Sequence, residues 1–442
     1  MQMGVYNMDR REFVKAGSML WMGAAATSGG SAGTSGAPVA GKPAAFPSPP
    51  PLPFQGEKSN LRITGVRAVV PRPKRPLPSY TPAPGSWSVK EVEVANPMSI
   101  YPKYKPRRSL FMADDLGPEA VEITTDRGIK GLGFGGPGAG FVVEKHLKKL
   151  LIGEDPFNVE QLWDIMWRST LYYGRKGLVV HAISALDLAL WDIIGLALGL
   201  PVYKLLGGET KPKIPAYCTG NDLEQHVEFG FKKLKLAMPY GPADGREGMK
   251  KNVELVKRTR ELLGPDGEIM LDCWMAFTER YTLELAAMLE PYRVYWMEEC
   301  LPPDDYAGFG RLNAQITSTR IATGEHEYTR YGFRLLLEYK AASIWQPDMT
   351  WCGGLTELRT IGALAAAHDI PVIPHAGWAH GGMHYILAVP NSPWCETFLP
   401  PPGGPREVYQ RFEEENRVTR GPEGIYVRPT DRPGFGWEFV AD

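Results

Sequence analysis

The chain has no CxxC pair, and its five cysteines in 442 residues supply neither a disulfide framework nor a structural zinc site. Cys218, Cys273, Cys300, Cys352 and Cys395 are odd in number and widely spread, so small buried hydrophobes are their expected role. Long runs of one charge are missing too. Lys and Arg number 49 against 50 Asp and Glu, for a net charge of −1. The clustered basic residues that nucleic acid or anionic lipid requires are absent, so no nucleic-acid partner is expected. A membrane span is the third absence: Ala16–Ala26 falls well short of the roughly 20 apolar residues a spanning helix needs, and no other segment is read as one. What is present is ordinary for a globular protein, with 43% hydrophobic and 22% charged residues. The length fits a two-domain body with an appendage.

Near the start, Asp9-Arg10-Arg11-Glu12-Phe13-Val14-Lys15 precedes a weakly apolar stretch. This resembles a twin-arginine export signal over residues 1–40, which implies a periplasmic or otherwise exported protein. Without a working signal the chain stays cytoplasmic. Residues 41–60 are rich in Pro and Ser and read as a linker that cannot bury enough apolar surface to fold. Leu61–Val70 and Ala120–Thr125 alternate like strands, and the chain turns helical between Phe141 and Leu200. Within that stretch, His181–Leu198 is apolar almost all round and is expected to be buried. Strands followed by helices predict an α+β domain over 61–190. Gly131–Gly138 lacks the Lys-Ser/Thr of a phosphate loop and reads as a flexible loop of that domain.

Past Lys211 short apolar runs alternate with helical stretches. The runs are Ile214–Cys218, Phe231–Ala237, Ile269–Asp272, Val294–Glu298, Arg320–Glu325, Ser343–Asp348, Val372–His375 and Trp394–Glu396. Eight strands alternating with helices fit a closed parallel barrel, which predicts a catalytic domain over 191–400. Asp272, Glu298, Glu325, Asp348, His375 and Glu396 close six consecutive runs at intervals of 26, 27, 23, 27 and 21 residues. Each interval is about one βα unit, so the six side chains converge on the barrel's C-terminal rim. Asp272, Glu298 and Glu325 would repel one another without a positive charge between them. An all-oxygen set favours a hard cation, Mg²⁺ before Mn²⁺ or Ca²⁺. Strand alternation turns Glu299, beside Glu298, toward the opposite face. Lys233 and Lys235 share one face of the second run.

Together, Leu271-Asp-Cys-Trp274, Glu298-Glu-Cys-Leu-Pro-Pro303, Gly324-Glu-His326, Gln346-Pro-Asp348, Trp351-Cys-Gly-Gly-Leu355 and Pro374-His375 resemble the enolase superfamily in its mandelate racemase and muconate lactonizing branch. Within that branch they are most similar to the L-rhamnonate dehydratase family. The resemblance implies a modified (β/α)₇β TIM-type barrel under an N-terminal α+β capping domain, with 401–442 returning to the cap. It implies Mg²⁺ held by Asp272, Glu298 and Glu325. His375 becomes the base, Asp348 its hydrogen-bond partner, and Glu396 faces the enolate oxygen, to which it donates if protonated. The implied reaction is dehydration of an acid sugar, in sugar acid catabolism, to a 2-keto-3-deoxy acid by proton loss α to the carboxylate. His326 matches the branch as a pocket residue, and Arg108 aligns with a substrate-contacting arginine. A histidine that the branch carries upstream is absent between Leu61 and Asn96. Lys235 matches an acid/base lysine of other branches, which would make an epimerase or racemase working from Lys235 and His375 on opposite faces. A third alternative is an exported sugar-acid binding protein without turnover. The family also implies a homo-oligomer.

Overall fold

A computed structural model of the chain describes residues 61–441 except 90, 91, 107–115 and 380. The predicted export signal and linker, and Arg108, lie outside the described residues.

The first described layer is a three-stranded antiparallel sheet. β1 (Ile63–Val69) is followed by the short β2 (Pro71–Pro73), and β1 pairs with β3 (Ala120–Thr125), which pairs with β4 (Lys130–Phe134). A bulge between Ile63 and Gly65 interrupts β1, whose buried positions are Ile63, Val66 and Val69. Glycine decides how this sheet meets the helix Leu178–Leu198. A Cβ at Gly133 would come within 2.0 Å of the Ala185 carbonyl oxygen, and one at Gly131 within 2.3 Å of that of Ala189. The glycine-rich segment that the sequence suggests is a flexible loop therefore opens as strand β4, laid directly on a helix backbone. Its glycines serve close approach.

Every residue of that helix from Val179 to Gly195 is buried. It is long and apolar enough to cross a bilayer by length and composition, contrary to the expectation that no segment qualifies, but it is packed inside the protein. Asp192 ties three parts of the fold together, accepting from Leu132 N–H at 3.0 Å and from Phe435 N–H at 2.9 Å. Burial first, opposed by those two bonds, pushes its carboxyl up to about 7.

The second layer is parallel. β5 (Ile214–Thr219), β6 (Lys233–Ala237), β7 (Glu268–Asp272), β8 (Trp296–Glu298), β9 (Arg320–Thr323) and β10 (Ile344–Trp345) pair in chain order. Val372 bridges Trp345 in parallel as a seventh run, and β11 (Cys395–Thr397) pairs back onto β5. Tyr217, Met270, Trp296, Ala322, Ile344 and Ile373, from six of these runs, form one buried cluster inside the ring. The fold is thus a TIM-type barrel with a capping domain. β12 (Thr419–Gly421) and β13 (Gly424–Val427) extend the sheet beside β5, and β14 (Phe439–Ala441) pairs with β2. All five cysteines are free and buried.

Candidate active site

At the C-terminal ends of the strands the backbone is bent sharply. Trp274 (φ 42°), Met275 (φ 61°), Glu299 (φ 45°) and Ala376 (φ 47°) all occupy the left-handed region, just past the ends of the third, fourth and seventh runs. Side-chain-bearing residues in this region are costly and gather where function over-determines the backbone. Asp272 and Glu298 end β7 and β8 and stand opposite each other in register. Glu396 lies within β11, whereas Glu325 and Asp348 fall two and three residues beyond the last paired residue of their strands.

The side chains form one network. His375 Nδ1 meets Asp348 Oδ2 at 2.7 Å, and its Nε2 lies 3.9 Å from Glu325. Asp348 also accepts from the N–H and the hydroxyl of Thr350, both at 2.6 Å. Burial opposes charge on His375, but Glu325, Asp348 and Glu396 outweigh it and hold the imidazole well above its ordinary value. His326 Nδ1 meets Glu299 Oε2 at 2.8 Å and lies 3.5 Å from Glu325. Burial is again overcome by Glu299 and Glu325, raising His326 to about 9.

Lys235 points into the barrel. Its ammonium is buried 2.7 Å from Glu298, 2.7 Å from Glu396 and 4.0 Å from Asp272. Glu298 also accepts from Trp296 Nε1 at 2.9 Å and Gln346 Nε2 at 2.6 Å. Burial first, then neighbouring carboxylates, pushes Asp272, Glu298 and Glu325 each up to about 7 against the pull of Lys235 or the histidines. Six carboxylates, Asp272, Glu298, Glu299, Glu325, Asp348 and Glu396, face three cations even with both imidazoles protonated. That excess, presented entirely by oxygen, fits a hard divalent cation. Each carboxylate oxygen carries two lone pairs, so Glu298 retains acceptor capacity despite its contacts.

Two expectations are corrected. Glu299 does not face away. β8 stops at Glu298, and the positive φ of Glu299 turns its buried side chain onto His326, so the ligand atoms of Glu299, Glu325 and His326 lie within 4.8 Å of one another. Glu396, expected to donate if protonated, is an acceptor in this arrangement. It accepts from Lys235, from the Thr219 hydroxyl and from Ala376 N–H at 2.7 Å. Burial works against its charge, but Lys235, His375 and these bonds hold it below the usual carboxylate value.

The cap reaches the mouth through Ser86 and Trp87. The Ser86 hydroxyl donates to Asp222 at 2.7 Å, and Trp87 stacks on Phe398 at 6.2 Å. Three residues before Arg108 in the chain, Lys105 pairs with Glu93 at 3.1 Å and with Asp244. Thr219, Gln346 and Trp87 are site residues that sequence reasoning did not single out. Gln346 was within reach, since it lies two residues before Asp348 in the Gln346-Pro-Asp348 motif.

Comparison with known proteins agrees with this architecture. Residues 220–442 match the "Enolase C-terminal domain-like" family, and 119–207 match the "Mandelate racemase / muconate lactonizing enzyme, N-terminal domain" family. L-rhamnonate dehydratase of Saccharopolyspora erythraea is 44% identical over 347 residues, covering 78% of this chain and 88% of its own length. The crystal structure of rhamnonate dehydratase from Gibberella zeae complexed with Mg superposes with a TM-score of 0.75 at 37% identity, over 88% of this chain and 95% of that one. A racemase from Streptomyces coelicolor with bound magnesium gives 0.65 at 27% identity, over 86% and 97%. The chain therefore belongs to the enolase superfamily, in its mandelate racemase and muconate lactonizing branch.

Proposed function

We propose that this chain is a Mg²⁺-dependent hydro-lyase that removes water from an aldonic acid of the L-rhamnonate type, giving a 2-keto-3-deoxy acid. The observation that carries the reading is the His375–Asp348 pair at 2.7 Å, with Nε2 facing the carboxylate cluster at Glu325. The identity to L-rhamnonate dehydratase of S. erythraea supports the substrate class.

Asp272, Glu298 and Glu325 are the residues we assign to hold the cation. Bound there, it offsets the charge that grows on the substrate carboxylate as the α-proton leaves. Asp348 accepts from Nδ1–H of His375, and where a bound cation would offset the carboxylates that hold the ring charged, Nε2 is the nitrogen free to take that proton. The C–H electron pair is left on the α-carbon and then forms the Cα=Cβ bond as the β-C–O bond breaks with its pair going to oxygen. Protonated His375 returns its proton to the departing hydroxyl, so water leaves and the enol tautomerises to the keto acid. Glu396 is held in place by Lys235 and Ala376 N–H.

The racemase alternative needs a second base across the substrate. Lys235 is poorly suited, since its ammonium is buried and shared between Glu298 and Glu396. Export and a homo-oligomeric state complete the proposal, on the twin arginines and the family respectively.

A panel of aldonic acids, read for keto acid with and without EDTA, tests it. Keto acid from at least one 6-deoxy aldonic acid is expected, lost in EDTA and regained with Mg²⁺. Turnover that survives EDTA would rule out the metal assignment.

A further inference from the structure

Two histidines at the mouth are gripped in the same way. His375 is bound through Nδ1 by Asp348 at 2.7 Å, and His326 through Nδ1 by Glu299 at 2.8 Å, both acceptors being buried. One hydrogen bond fixes a ring nitrogen but leaves the ring able to swing about that contact. Nε2 is not yet aimed.

Trp351 supplies the missing constraint. Its indole centroid lies 5.2 Å from the His375 ring and 5.3 Å from the His326 ring, at interplanar angles of 38° and 36°. These are distances at which ring pairs attract. Trp351 shares a tight turn with Asp348, its N–H donating to the Asp348 carbonyl at 3.1 Å, so acceptor and backstop move as one piece. A third ring, that of His181 from the helix Leu178–Leu198, packs on the indole at 6.0 Å. His181 Nδ1 faces the Pro137 carbonyl at 3.2 Å, and its Nε2 lies 3.3 Å from the Tyr328 hydroxyl. The indole is therefore braced by a residue that is itself held on both nitrogens.

The geometry points to Trp351 as a positioning residue, one indole set against two carboxylate-held histidines and fixing the direction of both Nε2 atoms. Its effect on turnover rests on the dehydratase reading, whereas its effect on the rings does not.

The test uses the Mg²⁺-loaded full chain with Trp351→Leu and Trp351→Phe. The leucine variant is expected to lose about 100-fold in kcat, the scale on which misplacing a catalytic group acts, with KM little changed. Phenylalanine, which keeps an aromatic face, is expected to recover most of the rate. Independently of turnover, ¹⁵N–¹H imidazole signals of His375 and His326 are assigned with His375→Asn and His326→Asn. They are expected to shift and broaden in Trp351→Leu and to stay sharp in Trp351→Phe. Trp351→Met replaces the leucine variant if that one does not fold. Unchanged imidazole signals, or wild-type kcat in the leucine variant, would overturn the assignment. If the wild-type chain dehydrates no aldonic acid, the function falls while the imidazole spectra still decide the role of Trp351.

Discussion

His375→Asn is expected to abolish keto-acid formation while leaving the fold and divalent-cation binding in place. Asparagine fits the space and can still donate to Asp348, so the 2.7 Å contact has a replacement. It carries no group that accepts a proton near neutral pH. A positioned acid–base group contributes about 10²–10⁴-fold, and His375 is assigned both proton transfers, so the loss should lie at or beyond the upper end. Keto acid is the readout for turnover. Mn²⁺ binding, as a spectroscopic stand-in for Mg²⁺, and the melting curve report site and fold. A variant at wild-type rate would refute the base assignment, whatever its metal affinity.

The second large effect concerns stability. Lys235→Met is expected to destabilise the metal-free protein by about 3–5 kcal/mol at pH 8, the usual cost of stranding a buried charge. Lys235 is the ammonium between Glu298 and Glu396, and methionine keeps its length without its charge. The pH dependence has a definite sign. Glu298 stands at about 7 in the folded protein against an ordinary 4.5, so its folded pKa is raised. Such a group supports folding below the lower value and loses that support as pH rises through the upper one. Removing Lys235 raises the folded value further, so the deficit against wild type should be small at pH 5 and large at pH 8. Thermal melts in EDTA at both pH values decide it. An equal deficit at both would mean that Lys235 does not offset these carboxylates. Lost activity with no deficit at either pH would instead favour Lys235 as an acid/base group.

The fold was legible because a parallel barrel repeats itself. Polar residues at one βα interval mark the rim, and the runs from Ile214 to Glu396 carry that mark six times. Side-chain direction at the rim was not legible. Alternation turns Glu299 away from Glu298 only if the strand continues, and β8 ends one residue too soon. The charge of Glu396 depends on Lys235, brought beside it from 161 positions earlier in the chain, a proximity that the order of residues does not encode. Gly131–Gly138 has a composition that suits a loop or a strand pressed on a helix. What decides is the backbone of Ala185 and Ala189 waiting across from Gly133 and Gly131. Trp351 was visible within a quoted motif, yet its contacts with three histidines from separate elements appear only once the barrel closes.

In the proposed reaction, buried carboxylates and His375 act on one face of an acid sugar to expel water. Incubating the Mg²⁺-loaded chain with a 6-deoxy aldonic acid in deuterated water, followed by NMR, tests it most directly. Conversion to the 2-keto-3-deoxy acid, with no inverted substrate recovered, is the predicted result. Recovery of deuterated, inverted acid without any keto product would contradict it.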